Sequence, residues 1–84
     1  MPILSRFYGI IIKMYFQQKE HNPPHIHAIY GEYVAVISIN DFKVLEGELP
    51  KKAISLVMEW MSIHKDELLM MWNTQNFKQI APLE

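Results

Sequence analysis

Cysteine is absent from the 84 residues, so neither a disulfide nor a thiolate metal centre can staple the fold. A small secreted protein would usually need such a staple. An excess of one charge is also missing: eight Lys and Arg stand against nine Asp and Glu, a formal net charge of −1. The basic residues are scattered apart from the Lys51–Lys52 pair, which argues against a protein that grips a nucleic-acid backbone unaided. Long apolar runs are lacking as well. The longest, Phe7 to Ile12, is interrupted by Gly9 and is far too short to cross a bilayer. The first residues, Met1-Pro2-Ile3-Leu4-Ser5-Arg6, do not read as a basic region followed by an apolar signal core. A cytoplasmic location is therefore expected, with no membrane role.

What is present suits one folded domain over residues 1–84. Half of the residues are hydrophobic and 20% are charged, a composition that speaks against disorder. A chain of this size buries only about 60–65% of its unfolded surface. A symmetric partner, such as a homodimer, would cover apolar surface that the chain alone leaves exposed.

The first half of the chain reads in steps of two. Phe7 to Phe16 is predicted as one strand, with Ile10, Ile12, Met14 and Phe16 on one face. Asn22-Pro23-Pro24 is a stiff connector, since each proline fixes its own φ and biases the residue before it towards extended backbone. His25 to Tyr30 and Tyr33 to Ile39 follow as two strands joined at Gly31-Glu32, a spacing that suits a primed hairpin turn. Asn40-Asp41 is a further turn, and Phe42 to Leu45 a short fourth strand ended at Gly47.

The second half reads in steps of 3.6. Pro50 suits the first helical position. Ala53, Val57, Trp60, Met61, His64, Leu68, Met71 and Trp72 form one apolar stripe that does not slip at His64. One unbroken helix is predicted from about residue 50 to about residue 74, ending at Asn73 to Asn76, with a terminal strand at Phe77 to Ile80. The expected class is α+β: an antiparallel sheet of three to five strands with one long C-terminal helix packed on one face.

The chemistry concentrates in His21-Asn22-Pro23-Pro24-His25-Ile26-His27. Two apart in a strand, His25 and His27 leave the sheet on the same face. With His21 across the diproline they suggest a facial site for a divalent transition metal such as zinc. No carboxylate lies within the segment; the nearest acid, Glu20, directly precedes it. The same residues also fit two other readings: half-buried strand histidines bonded to backbone or to Tyr30 and Tyr33, and a metal-free catalytic or ligand-binding pair. His64 joins them as a catalytic candidate if the helix packs on their face. Lys51 and Lys52 sit where the helix dipole disfavours cations, and with free backbone donors they would suit an anion. Exposed lysines partly offset by Glu46 and Glu48 are the simpler account. Trp60 and Trp72, twelve residues apart, differ in direction by about 120° and read as core or interface anchors. Met58, Met61, Met70 and Met71 read as adaptable packing, suited to a partner.

Three sequence blocks carry a family resemblance. They are Ser5-Arg6-Phe7-Tyr8-Gly9-Ile10 with Met14-Tyr15-Phe16, the histidine block, and Leu45-Glu46-Gly47-Glu48-Leu49-Pro50. With Glu59-Trp60 and Leu68 to Trp72, the chain resembles the bacterial domain-of-unknown-function family DUF4160 over nearly its whole length. The family brings no established activity. The resemblance implies a small protein often encoded beside a second short protein, in pairs described as toxin–antitoxin-like. The family's histidine block falls on His21, His25 and His27, and its glycine-leucine-proline helix entry on Gly47, Leu49 and Pro50. Met70-Met71 stands here where a more polar approach to the last tryptophan is usual, which favours a hydrophobic partner surface. Two functions follow as expectations: an interaction component binding a cognate small protein, or a small metal- or histidine-dependent hydrolase acting on a phosphodiester, with nuclease activity as one form.

Overall fold

Two-residue turns in the first half of the chain let neighbouring strands fold directly back on one another. In the computed structural model, residues 3–14 and 23–83 are described. They form β1 (Ile3–Phe7), β2 (Ile10–Lys13), β3 (His25–Tyr30), β4 (Tyr33–Ser38), β5 (Val44–Gly47) and α1 (Lys51–Thr74). The five strands make one antiparallel sheet in sequential order, and the helix covers one face of it. This is the expected α+β architecture.

The first predicted strand needs correcting. Phe7 to Phe16 is not one strand: the chain reverses at Tyr8-Gly9, and Phe7 pairs with Ile10. Both turn residues have positive φ, 50° and 80°, the signature of a primed two-residue hairpin. Tyrosine is an uncommon residue there, and the apolar alternation runs on past the turn, which is why the period concealed it. Tyr15 and Phe16 lie outside the described residues. The second hairpin falls where expected, with Gly31 at φ 60° and β3 and β4 paired from His25–Ser38 to Tyr30–Tyr33.

β5 starts and ends two residues later than the predicted fourth strand. Its register against β4 shifts between Val36 and Ile37, and the strand ends at Gly47 for a steric reason. Gly47 has φ 72°, and a Cβ there would collide with the backbone carbonyl of Val34, a group that also accepts from the Glu48 amide at 3.2 Å. Only glycine permits that approach of β5 to β4 before the chain turns into the helix.

Pro50 is the N-cap rather than the first helical residue. Its ψ of 148° is extended, and its carbonyl accepts the first helical bond, from the Ile54 amide at 3.0 Å. The stripe of Ala53, Val57, Trp60, Met61, Leu68, Met71 and Trp72 is buried as predicted. It packs on Leu4, Phe7, Ile10, Ile12, Ile26, Ala28 and Ile37 in one core. The helix does continue to Thr74, but it is not unbroken: His64 adopts φ −111°, ψ 17° and kinks it. Ser62 Oγ donates to the Glu59 carbonyl at 2.7 Å, and His64 Nδ1 donates to Glu67 Oε1 at 2.8 Å. The Ser62 bond occupies a backbone carbonyl, and bonds of that kind compete with the helical ladder and bend helices. The kink redirects the axis without shifting the apolar stripe, so periodicity does not register it.

Gln75, at φ 56°, closes the helix with its amide on the Met71 carbonyl at 2.8 Å. The predicted terminal strand at Phe77 to Ile80 does not form. The segment meets β1 through a backbone bond from the Ile80 amide to the Leu4 carbonyl at 2.7 Å. The register of β1 is irregular between Ile3 and Ser5, and Pro82 has no donor to extend a ladder. Trp60 Nε1 donates to the Ala81 carbonyl at 2.9 Å, fastening this segment to the helix.

Candidate functional site

Alternation along β3 sorts its side chains onto two faces. Ile26 and Ala28 are fully buried beneath the helix, whereas His25, His27 and Ile29 are half-buried on the other face. Pairing extends that second face across the sheet. Lys13, His27, Val36 and Glu46 form one cross-strand row, and Arg6, Ile11, Ile29 and Val34 form the next. Directly opposed residues in such rows have Cβ atoms about 4.5–5.5 Å apart. No bulge interrupts His25 to His27, and their rings stand 5.4 Å apart, tilted by 58°. Both therefore project from the same face of β3, as expected.

The diproline orients the first imidazole. His25 Nδ1 lies 2.8 Å from the Pro23 carbonyl oxygen. A carbonyl can only accept, so Nδ1 carries the hydrogen and, in the neutral ring, Nε2 keeps a lone pair. The Pro24 carbonyl meanwhile accepts from Ile39 at 2.9 Å, which extends the β3–β4 pairing back to the connector. The Trp72 ring packs against His25 at 4.9 Å and 55°. The last helical turn thus reaches His25 although the rest of the stripe lies on the opposite face. Ser38, across from His25, is buried.

The pKa of His27 is lowered from its ordinary value. Partial burial penalises the charged ring most; His25 and Lys13 push the same way, and Glu46 opposes them. His27 is accordingly a neutral imidazole at physiological pH. A neutral ring beside one with an oriented lone pair can accept or relay hydrogen bonds, take up a proton, or present two nitrogen donors to a metal.

The other candidates lie elsewhere. His64 stands on the helix with its ring 5.2 Å from Trp60 and its Nδ1 on Glu67. It is placed with the core-facing stripe, away from the row that holds His27. His21 lies outside the described residues. Among the described residues no three His, Asp or Glu side chains gather as a set for a metal ion. Lys51 and Lys52 are exposed at the helix start, where no side chain caps the first turn and no acidic residue falls within it. Sequence reasoning missed Pro23 as the acceptor that orients His25, and Lys13 as the cation beside His27. Neither is visible before the register of β2 on β3 is known. Trp72 was expected as an anchor and is one, but against a histidine.

A family model described as a domain of unknown function (DUF4160) matches residues 9–73. The chain belongs to the DUF4160 family. The match takes in His25, His27 and His64 and omits β1 and the segment after the helix, which bond to each other through Ile80 and Leu4. No curated protein and no solved structure matches this DUF4160 chain. No described helix is long and apolar enough to cross a membrane.

Proposed function

We propose that this DUF4160 protein is the interaction component of a two-protein, toxin–antitoxin-like module, and that it holds a cognate small protein on the sheet face bearing His25 and His27. The observation that carries this reading is the one-sided cover of the sheet. The helix buries one face, while the other presents half-buried Ile11, Ile29 and Val36 and exposed Val34. Arg6, Lys13 and Glu46 stand in the same rows. An apolar centre with a polar rim is the usual anatomy of a protein interface, and the paired imidazoles add direction to it. The test is co-expression with the product of the neighbouring gene. A complex is expected, and Val34→Glu with Val36→Glu should abolish it while leaving the protein folded. A complex that survives both substitutions would overturn the choice of face.

A second reading, a histidine-dependent hydrolase, rests on the orientation of His25 by Pro23, which leaves Nε2 as the available base. A metal-assisted form would recruit His21 with His25 and His27 around zinc or a similar ion. Elemental analysis of protein purified without a histidine tag tests the metal form: stoichiometric metal supports it, and none refutes it.

A further inference from the structure

Between the first turns of the helix and the Tyr8-Gly9 hairpin lies a cleft of about 480 Å³, a volume typical of small-molecule sites. Its floor is apolar: Ile10, Ala53 and Leu83 are buried, and Leu56 packs against the same core. Tyr8 and Tyr30 line it with rings that are 59% and 38% exposed. A Cβ at Gly9 would stand 3.3 Å from the Tyr30 ring, so glycine lets that ring close against the hairpin. Lys52 and Glu59 also line the cleft. At spacings i, i+4 and i+7, Lys52, Leu56 and Glu59 share one helix face. Both charged side chains are exposed, and neither forms an ion pair or hydrogen bond with the described residues. No residue of the histidine rows takes part in the cleft.

We infer that this cleft binds a short hydrophobic peptide with both ends free, its carboxylate on Lys52 and its ammonium on Glu59. Charge and length select that occupant. A purely anionic ligand would meet Glu59, and a purely cationic one would meet Lys52. A molecule with one charge of each sign at opposite ends satisfies both. The two side chains start two helical turns apart, about 10 Å along the axis, and two or three extended residues span about 7–11 Å. Between the charges, the apolar floor and the open tyrosine rings receive aliphatic or aromatic side chains. The site is separate from the histidine face and does not depend on the function proposed for it.

The probe is the dipeptide leucyl-phenylalanine, titrated into the isotope-labelled full chain beside its N-acetylated and C-amidated forms. The free dipeptide is expected to bind with a Kd of about 1 mM or tighter, with saturable amide shifts at Tyr8, Tyr30, Ala53 and Leu83. Blocking either end should weaken binding about two- to fivefold, the range of one exposed ion pair. Glu59→Gln should abolish the discrimination against the acetylated form and keep that against the amide; Lys52→Gln should do the reverse. His25→Gln with His27→Gln should change neither. Both cleft substitutions are at exposed positions and should leave the melting midpoint unchanged; if either lowers it, the blocked peptides on the wild-type chain decide alone. The absence of saturable shifts at these residues overturns the proposal. So does equal binding of free and blocked dipeptides by the wild type, or survival of both discriminations in either folded cleft variant.

Discussion

The two faces of the β-sheet are built from the same strands and do different things. Beneath the helix, Ile12, Ile26, Ala28, Ala35 and Ile37 have no exposed surface, and the core they form with Val57, Trp60 and Leu68 holds the fold. On the other face the neighbouring residues in the same strands, Ile11, His25, His27, Ile29 and Val36, remain half-buried. The difference separates the face that holds the fold from the face left open for the proposed partner. A chain of 84 residues has a stability on the order of 5–10 kcal/mol at best, and one well-packed face supplies the burial it needs. Imidazoles in a sealed core would need a partner for every nitrogen; on the half-open face they remain addressable.

The contrast is sharpest in paired truncations. Trp60→Ala should have the largest effect, removing a fully buried ring, its contact with Phe7 and its bond to Ala81. A loss of about 3–5 kcal/mol is expected, enough to blur or abolish cooperative melting by circular dichroism. Ile26→Ala should cost about 2–5 kcal/mol. Val36→Ala, one residue away in the paired strand but on the other face, should cost only about 1 kcal/mol because its side chain is half-exposed. Equal costs for Ile26 and Val36 would break the comparison and mean that both faces are structural.

Much of the helix-covered face was legible in the sequence, and much of the other was not. The 3.6-residue stripe and the alternation of Ile10, Ile12 and Met14 are statements about burial, and burial is what periodicity records. The same-face placement of His25 and His27 follows from strand geometry alone. The Tyr8-Gly9 reversal escaped because a two-residue turn costs the pattern almost nothing, and the His64 kink because it bends the axis without moving the stripe. The neighbours of the histidines depend on strand register, and the contact of Trp72 with His25 depends on where the helix ends over the sheet. Those are three-dimensional facts that no local pattern holds.

Acid should distinguish the faces less strongly. His27 has a lowered pKa in the folded protein, through burial first and then His25 and Lys13, against the pull of Glu46. Above its ordinary value of 6.5 the ring is neutral in both states and contributes no pH dependence. As pH falls below that value the unfolded chain binds a proton that folded His27 resists, so stability declines. Urea melts at pH 7 and pH 5.5 should show the loss in the wild type and a smaller one in His27→Gln. An identical decline in both would remove His27 as its source. Ser62→Ala should have the smallest effect: with the Glu59 carbonyl released, the helix regains regular geometry near His64 and stability changes by no more than about 0.5 kcal/mol. Amide shifts of Ile63 to Lys65 moving towards helical values would check it.

The central claim is that the histidine face serves a partner rather than the fold. Its most direct test is the double variant His25→Gln with His27→Gln, melted and then titrated against the product of the neighbouring gene. The account predicts a melting midpoint within a few degrees of the wild type, since 1 kcal/mol moves a domain of this size by about 4–8 °C. It also predicts binding weakened at least about tenfold, or 1.4 kcal/mol. A midpoint lowered by more than about 10 °C would make the histidines structural, and an unchanged midpoint with unchanged binding would contradict the claim outright.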